Sequence, residues 1–249
     1  MKIEIKDLNC QIGKKMLLKH INMTFSGNQL IGVIGPNGCG KTTLLKHIYR
    51  ELPSKGHIFL DEKDISDYNR REFARKVAVM SQHSAQADDG LSVGEIVRMG
   101  RYPYKGILEE YNEEDDQIVE KALEATGLAD FRNRRLGTMS GGEIQRAMIA
   151  RCFVQQPGVI ILDEPTNHLD VKYKLELMRL LKQFQGLVIL TIHDLNLAAG
   201  YCDRLYVMKD GEVAGYGEPE EVLKEQLLEE VFEVKFQVMK NNGKLLLNI

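Results

Sequence analysis

Residues 29–43 read QLIGVIGPNGCGKTT. The first half is a mostly apolar run, as expected for a central strand buried on both faces of a parallel sheet. The second half fits Gly-x-x-x-x-Gly-Lys-Thr, with Gly35, Gly40, Lys41 and Thr42 in register. A strand before it and a helix after it, expected from Lys41 to about Glu51, supply the context this motif needs. Its glycines let backbone N–H groups curl around phosphates, and the helix that follows points its partial positive end at them. The loop Gly35, Pro36, Asn37, Gly38, Cys39, Gly40, Lys41, Thr42 and Thr43 is therefore the expected nucleotide cradle. Lys41 is expected to reach the β- and γ-phosphates during catalysis, and the Thr42 hydroxyl to take Mg²⁺. Cys39 reads as a tolerated variable position, although nearby helix amides can lower a thiol pKa.

Two later strands point at the same place. VIILDEP (159–165) is an apolar run that ends on Asp163 and Glu164. It delivers Asp163 to the carboxyl edge of the sheet, where Lys41 and Thr42 lie. Asp163 is expected to hold the metal, directly or through water. Glu164 is expected to accept a proton from an attacking water. LVILTIHD (187–194) carries His193 to that edge, within reach of a γ-phosphate. Gln82, after the strand KVAVM, is a further metal-ligand candidate through its amide oxygen.

Between these strands the pattern changes to helix. Ser92 and Glu95 have capping-box spacing and start a helix through Met99. EEDDQIVEKALEATG has acids in its first turn, a stripe of Ile118, Val119, Ala122 and Leu123, and a stop at Gly127. A third helix begins at Ser140 and ends at Pro157. Its start, MSGGE (139–143), looks like a second anion cradle that lacks a lysine. Ser140-x-x-Glu143 is equally a capping box. MGRYPYKG (99–106) reads locally as a helix end followed by a proline-broken loop. Asp210-Gly211 marks a tight hairpin. A last helix is expected from Glu220, and a short hairpin at Asn242-Gly243. The organisation is one domain over 1–249: a core of 1–84 and 158–219, a helical subdomain of 85–157 and a C-terminal extension of 220–249.

The chain of 249 residues is 43% hydrophobic with a net charge of −3. That balance gives no electrostatic footprint for nucleic acid or an anionic membrane. The four cysteines are scattered without metal-ligand spacing, as free thiols in a reducing compartment are. No apolar run approaches the roughly 18 residues of a membrane span. A soluble, cytosolic chain is expected, with other chains supplying any membrane part.

Together these elements resemble an ATP-binding cassette ATPase, and the likeness covers nearly the whole chain. They fall in that family's order: phosphate loop, Gln82, the MSGGE signature, Asp163-Glu164, the His168-Leu169-Asp170 turn and the switch histidine His193. The resemblance implies an α/β fold of the phosphate-loop NTPase type. Its parts are a mostly parallel core sheet, an antiparallel β-subdomain built mostly from the N-terminal strands, and a helical subdomain. It implies ATP and Mg²⁺. It also implies a head-to-tail homodimer in which Ser140, Gly141, Gly142 and Glu143 close in trans over ATP held by the other cassette, with Asp170 at the interface. In that setting the signature lacks a lysine because the opposite loop supplies one.

The segment MGRYPYKG and the run HDLNLAAGYCDRLYVMKDGEVAGYGEPEEVL resemble the importer subfamily for iron–siderophore, haem and cobalamin complexes. That implies polytopic permease subunits docked near Gln82 to Tyr104, an extracytoplasmic substrate-binding protein, and a place on the cytoplasmic face of the membrane. The alternative is a non-transport cassette acting as a nucleotide-gated assembly module, such as one for iron–sulphur clusters. Two positions depart from the family pattern. Ile12, before Gly13, stands where an aromatic residue usually stacks on adenine, which implies weak nucleotide affinity and poor base selectivity. Met139 stands where leucine is usual, a flexible apolar replacement expected to change little.

Overall fold

Alternation of Ile3 and Ile5 with charged neighbours produces β1 (Lys2–Ile12), which pairs antiparallel with β2 (Lys15–Ser26). The computed structural model describes residues 1–81, 90–106, 108–167, 169–241 and 244–248. Next come β3 (Leu30–Ile34), α1 (Lys41–Ile48), β4 (Ile58–Leu60), β5 (Lys63–Asp64), α2 (Arg70–Lys76) and β6 (Val77–Met80). Three helices follow: α3 (Val93–Arg98), α4 (Glu113–Ala125) and α5 (Gly141–Val154). The chain then alternates through β7 (Val159–Leu162), α6 (Val171–Gln183), β8 (Leu187–Thr191), α7 (Leu195–Tyr201), β9 (Arg204–Lys209) and β10 (Glu212–Gly217). It closes with α8 (Pro219–Val222), α9 (Glu225–Phe232), β11 (Gln237–Asn241) and β12 (Lys244–Asn248).

The main sheet has six strands in the order β10-β9-β3-β8-β7-β6. β9, β3, β8, β7 and β6 run parallel, and β10 returns antiparallel through the Asp210-Gly211 turn. Both turn residues have positive φ, +49° and +83°, as a tight hairpin requires. A smaller antiparallel sheet, β2-β1-β4-β5, uses the N-terminal strands. The period-two pleat sorts the apolar strands into two cores. Ile160, Leu162, Val188, Leu190 and Val207 face the helical insert and α6, α7. Val159, Ile161, Leu187, Ile189 and Met208 face the smaller sheet and α1.

The insert α3–α5 is built from well-marked starts. Ser92–Glu95, Asn112–Asp115 and Ser140–Glu143 each form reciprocal capping boxes. The stripe Val119, Ala122 and Leu123 is buried against Ala147, Met148 and Ile149 of α5. Gly127 takes the left-handed conformation, φ +66°, just past the end of α4.

Two helix boundaries differ from expectation. α1 stops at Ile48 rather than near Glu51. Arg50 turns left-handed (φ +67°), and the N–H groups of Glu51 and Leu52 both return to the Lys46 carbonyl. The C-terminal helix is two helices, because the chain leaves helical geometry at Leu223, which turns inward and is buried. β11 and β12 pair across residues 242–243, which lie outside the described residues.

Candidate functional site

The loop after β3 is wedged into the molecule. A Cβ on Gly35 (φ +151°) would sit 2.3 Å from the Met208 carbonyl oxygen, and one on Gly40 (φ +107°) 2.7 Å from the Leu17 carbonyl oxygen. Only glycine fits at either position. Lys41 is buried at the first position of α1. Its Nζ donates to the carbonyls of Gly35 (2.8 Å) and Pro36 (2.9 Å), so the cation lies against the loop's own backbone. Cys39 is also buried in the loop. Burial pushes its thiol pKa up, against a pull downward from Lys41. Any lowering by nearby amides is outweighed: the cost of desolvating a thiolate wins.

The loop borders a cleft of about 240 Å³ lined by Lys15, Leu17, Asn37, Gly38, Gly40, Lys41, Thr42, Thr43 and Glu164. Ile12 does not line it and is 58% exposed. It pairs with Lys15 across the β1–β2 hairpin, so it stands at the cleft's margin.

Asp163 follows β7 and is 2% exposed. Its Oδ1 accepts from the Thr191 hydroxyl at 2.7 Å and from the Thr42 hydroxyl at 3.3 Å. Its Oδ2 is buried and has no hydrogen-bond partner among the described residues. A buried carboxylate oxygen left open beside a threonine hydroxyl fits a hard divalent cation with oxygen ligands. Among the described residues no cluster of three His, Cys, Asp or Glu forms an all-protein metal cage. One carboxylate and one hydroxyl suit Mg²⁺, which keeps waters and binds through phosphates. Gln82 lies outside the described residues.

Glu164 occupies the left-handed region, φ +53°. Its N–H donates to Thr191 Oγ1 at 2.8 Å. Its carbonyl accepts from the Asn167 N–H at 3.2 Å and from Gln145 Nε2 at 3.3 Å. On its carboxylate, Oε1 lies 2.5 Å from His193 Nε2, and Oε2 accepts from Asn167 Nδ2. Lys41, Thr42, Asp163, Glu164 and His193 thus converge at the carboxyl ends of β3, β7 and β8, as their sequence positions predict.

Ser140, Gly141, Gly142, Glu143 and Asp170 do not line this cleft. The Ser140 hydroxyl donates to Glu143 Oε2 at 2.9 Å and accepts from the Glu143 N–H at 3.3 Å. Hydrogen bonds from Ser140 hold the Glu143 carboxyl below its usual pKa. Asp170 caps α6 by accepting from the Tyr173 N–H.

Sequence reasoning missed Thr191, Asn167, Gln145, Lys15 and Leu17. Only Thr191 carried a local signal, a lone hydroxyl in the otherwise apolar LVILTI.

A buried strand, a glycine-rich turn, a lysine-led helix and a strand-end carboxylate define a phosphate-loop nucleotide-binding domain, here with a helical insert. The family model for ABC transporter matches residues 18–167. The petrobactin import ATP-binding protein FpuD of Bacillus anthracis is 37% identical over 241 residues, covering 95% of this chain and 88% of the relative. The hemin import ATP-binding protein HmuV of Bradyrhizobium diazoefficiens is 37% identical over 253 residues, covering 97% and 92%. The dimeric structure of a bacterial ABC transporter cassette superposes with a TM-score of 0.77 at 26% identity, covering 87% of this chain and 98% of that one. The chain belongs to the ABC transporter family. It is an ATP-binding cassette and an ATPase.

Proposed function

We propose that this cassette powers import of a metal chelate of the iron–siderophore or haem class, as the ATPase subunit beneath a membrane permease. The observation that carries the catalytic part is the 2.5 Å contact between Glu164 and His193 beside the open oxygen of Asp163. The import-type relatives FpuD and HmuV support the substrate class.

In this reading the amides of residues 35–43 and the start of α1 bind the phosphates, and Lys41 turns from its loop carbonyls to the β- and γ-oxygens. Asp163 and Thr42 hold Mg²⁺, with Gln82 as a further ligand. The ion bound there supplies charge neutralisation on the phosphates. Glu164 takes the proton of the attacking water, and His193 shares its hydrogen bond between Glu164 and the γ-phosphate. Ile12 contributes an aliphatic rather than a stacking contact to the base. Glu164 and His193 together argue for turnover rather than for a passive assembly module.

The signature acts in trans. Gly141 opens α5, and a Cβ there would meet nothing within 4 Å. Glycine in a helix costs up to about 1 kcal/mol relative to alanine, and nothing among the described residues requires it at this position. A close approach from a second molecule supplies the reason. Ser140, Gly141, Gly142 and Glu143 then meet the γ-phosphate held by the partner cassette, and Asp170 lies at the same two-fold interface. Among the described residues no helix is long and apolar enough to cross a membrane. In this reading permease subunits hold the cassette at the cytoplasmic face, as the import-type relatives suggest, and an extracytoplasmic binding protein delivers the chelate.

The test is Glu164→Gln with ATP and Mg²⁺. The variant is expected to bind ATP, turn over at least about 10²-fold more slowly and sediment as a dimer. A variant that remains monomeric at high concentration sinks the sandwich. Capture from membranes should recover a polytopic permease, and recovery of a soluble scaffold instead would favour assembly.

A further inference from the structure

Gln145 sits on α5, the helix that begins with the signature. It is buried, 8% exposed. Its Nε2 donates to the carbonyls of Pro165 (2.7 Å) and Glu164 (3.3 Å). A side chain of the helical insert therefore grips the peptide that carries the proposed catalytic base.

That peptide needs holding. Glu164 has a positive φ of +53°, a region that L-residues with side chains adopt reluctantly and keep only when their surroundings fix it. The Thr191 hydroxyl fixes its N–H from the core at 2.8 Å. The Asn167 N–H fixes its carbonyl locally at 3.2 Å. Gln145 is the anchor that comes from the insert. From this backbone the Glu164 carboxylate reaches His193 and Asn167.

We propose that Gln145 is a positioning residue for hydrolysis. It sets the Glu164 carboxylate and makes that setting depend on where α5 sits. This rests on the assignment of Glu164 as the general base. Its consequence reaches across the dimer. The helix whose first turn closes over the partner's ATP is the helix that cocks the chain's own base. Seating one signature thereby prepares the other site.

Gln145→Met keeps the length and volume of the side chain and removes the donor. In the purified full chain, kcat for Mg-ATP is expected to fall about tenfold while KM and the Kd of a fluorescent ATP analogue stay within about twofold. Adding Gln145→Met to Glu164→Gln should change residual turnover by less than about twofold, because the residue acts through Glu164. A kcat within about twofold of the parent overturns the proposal. So do affinity losses in step with kcat, or losses that multiply in the double variant. Gln145→Asn, too short to reach the carbonyls, must show the same loss of kcat, and it decides the matter if Gln145→Met does not fold. Glu164→Gln separates the two readings. If it leaves kcat unchanged, the assignment of Glu164 fails. If it abolishes turnover while both Gln145 variants retain it, only the role of Gln145 fails.

Discussion

Two aspartates in this molecule are equally buried, each 2% exposed, and they are used in opposite ways. Asp115 opens α4 and is saturated. Its Oδ1 takes Arg101 Nε at 2.8 Å, and its Oδ2 takes Lys105 Nζ at 2.5 Å and the Asn112 N–H at 3.1 Å. Asp163 follows β7 and is left half-made, with hydroxyl donors on one oxygen and, among the described residues, nothing on the other. A folded protein keeps a buried carboxylate by pairing it, because desolvation otherwise costs several kcal/mol. Asp115 is paired within the chain and is a keystone of the insert. Asp163 keeps an open oxygen beside the Thr42 hydroxyl, and under the proposed function its partner is a cation brought with the nucleotide. Burial alone does not separate structure from function here; the count of satisfied oxygens does.

The largest expected effect falls on Asp115. Asp115→Ala takes the shared carboxylate from Arg101 and Lys105, two cations below 10% exposure, and leaves Lys105 only the more distant Glu109 at 3.5 Å. Breaking a buried pair this way costs about 3–5 kcal/mol. For a chain of this size that lowers Tm by roughly 10 °C. Turnover measured where the variant is still folded should stay within about twofold of the parent. A variant with unchanged Tm would break the contrast, since Asp115 would then be no keystone.

Asp163→Asn is the mirror experiment. Turnover of Mg-ATP should fall at least about 10²-fold, through loss of the carboxylate that balances the metal. Tm should hold steady or rise, because an unpaired buried charge has been removed. Thermal melts and steady-state hydrolysis on the same preparations check both halves. A Tm drop matching that of Asp115→Ala would mean that Asp163 is structural after all.

The sequence made one aspartate legible and hid the other. Asp163 stands at the end of an apolar strand beside Glu164, and its neighbours Lys41 and Thr42 follow from a local motif. Strand ends in a parallel sheet share an edge, so Glu164 and His193 were placed without knowing any contact. Asp115 read only as one acid among four in the first turn of a helix, suited to the helix dipole. Its true partners come from MGRYPYKG, fourteen residues back in the case of Arg101. Nothing in the spacing fixes such a pairing, because a proline-broken turn must first fold against α5. Arg101 also donates to the Val154 carbonyl and to Gln156, tying that turn to the far end of α5. The same limit hid Gln145 and Thr191, whose bonds to Glu164 span nineteen and twenty-seven residues. β2 escaped separate notice because its run of 15–26 mixes polar and apolar positions, and its ladder with β1 carries register shifts.

The smallest effect concerns acid. Burial alone would raise the Asp115 pKa, but hydrogen bonds from Lys105, Arg101 and the Asn112 backbone outweigh it and hold the pKa at about 2, against an ordinary 3.8. A carboxyl whose folded pKa is depressed stabilises the fold above its unfolded pKa and loses that contribution as pH falls through the folded one. The shift corresponds to about 2 kcal/mol, present in full near pH 5 and lost between roughly pH 4 and 2. Many other carboxyls titrate in the same window, so the quantity to measure is a difference. The stability gap between the parent and Asp115→Asn, from urea melts at a series of pH values, should narrow by about 1.5 kcal/mol from pH 5 to pH 2.5. A gap that stays constant would mean that the Arg101–Asp115–Lys105 cluster holds the insert by shape and hydrogen bonding rather than by charge.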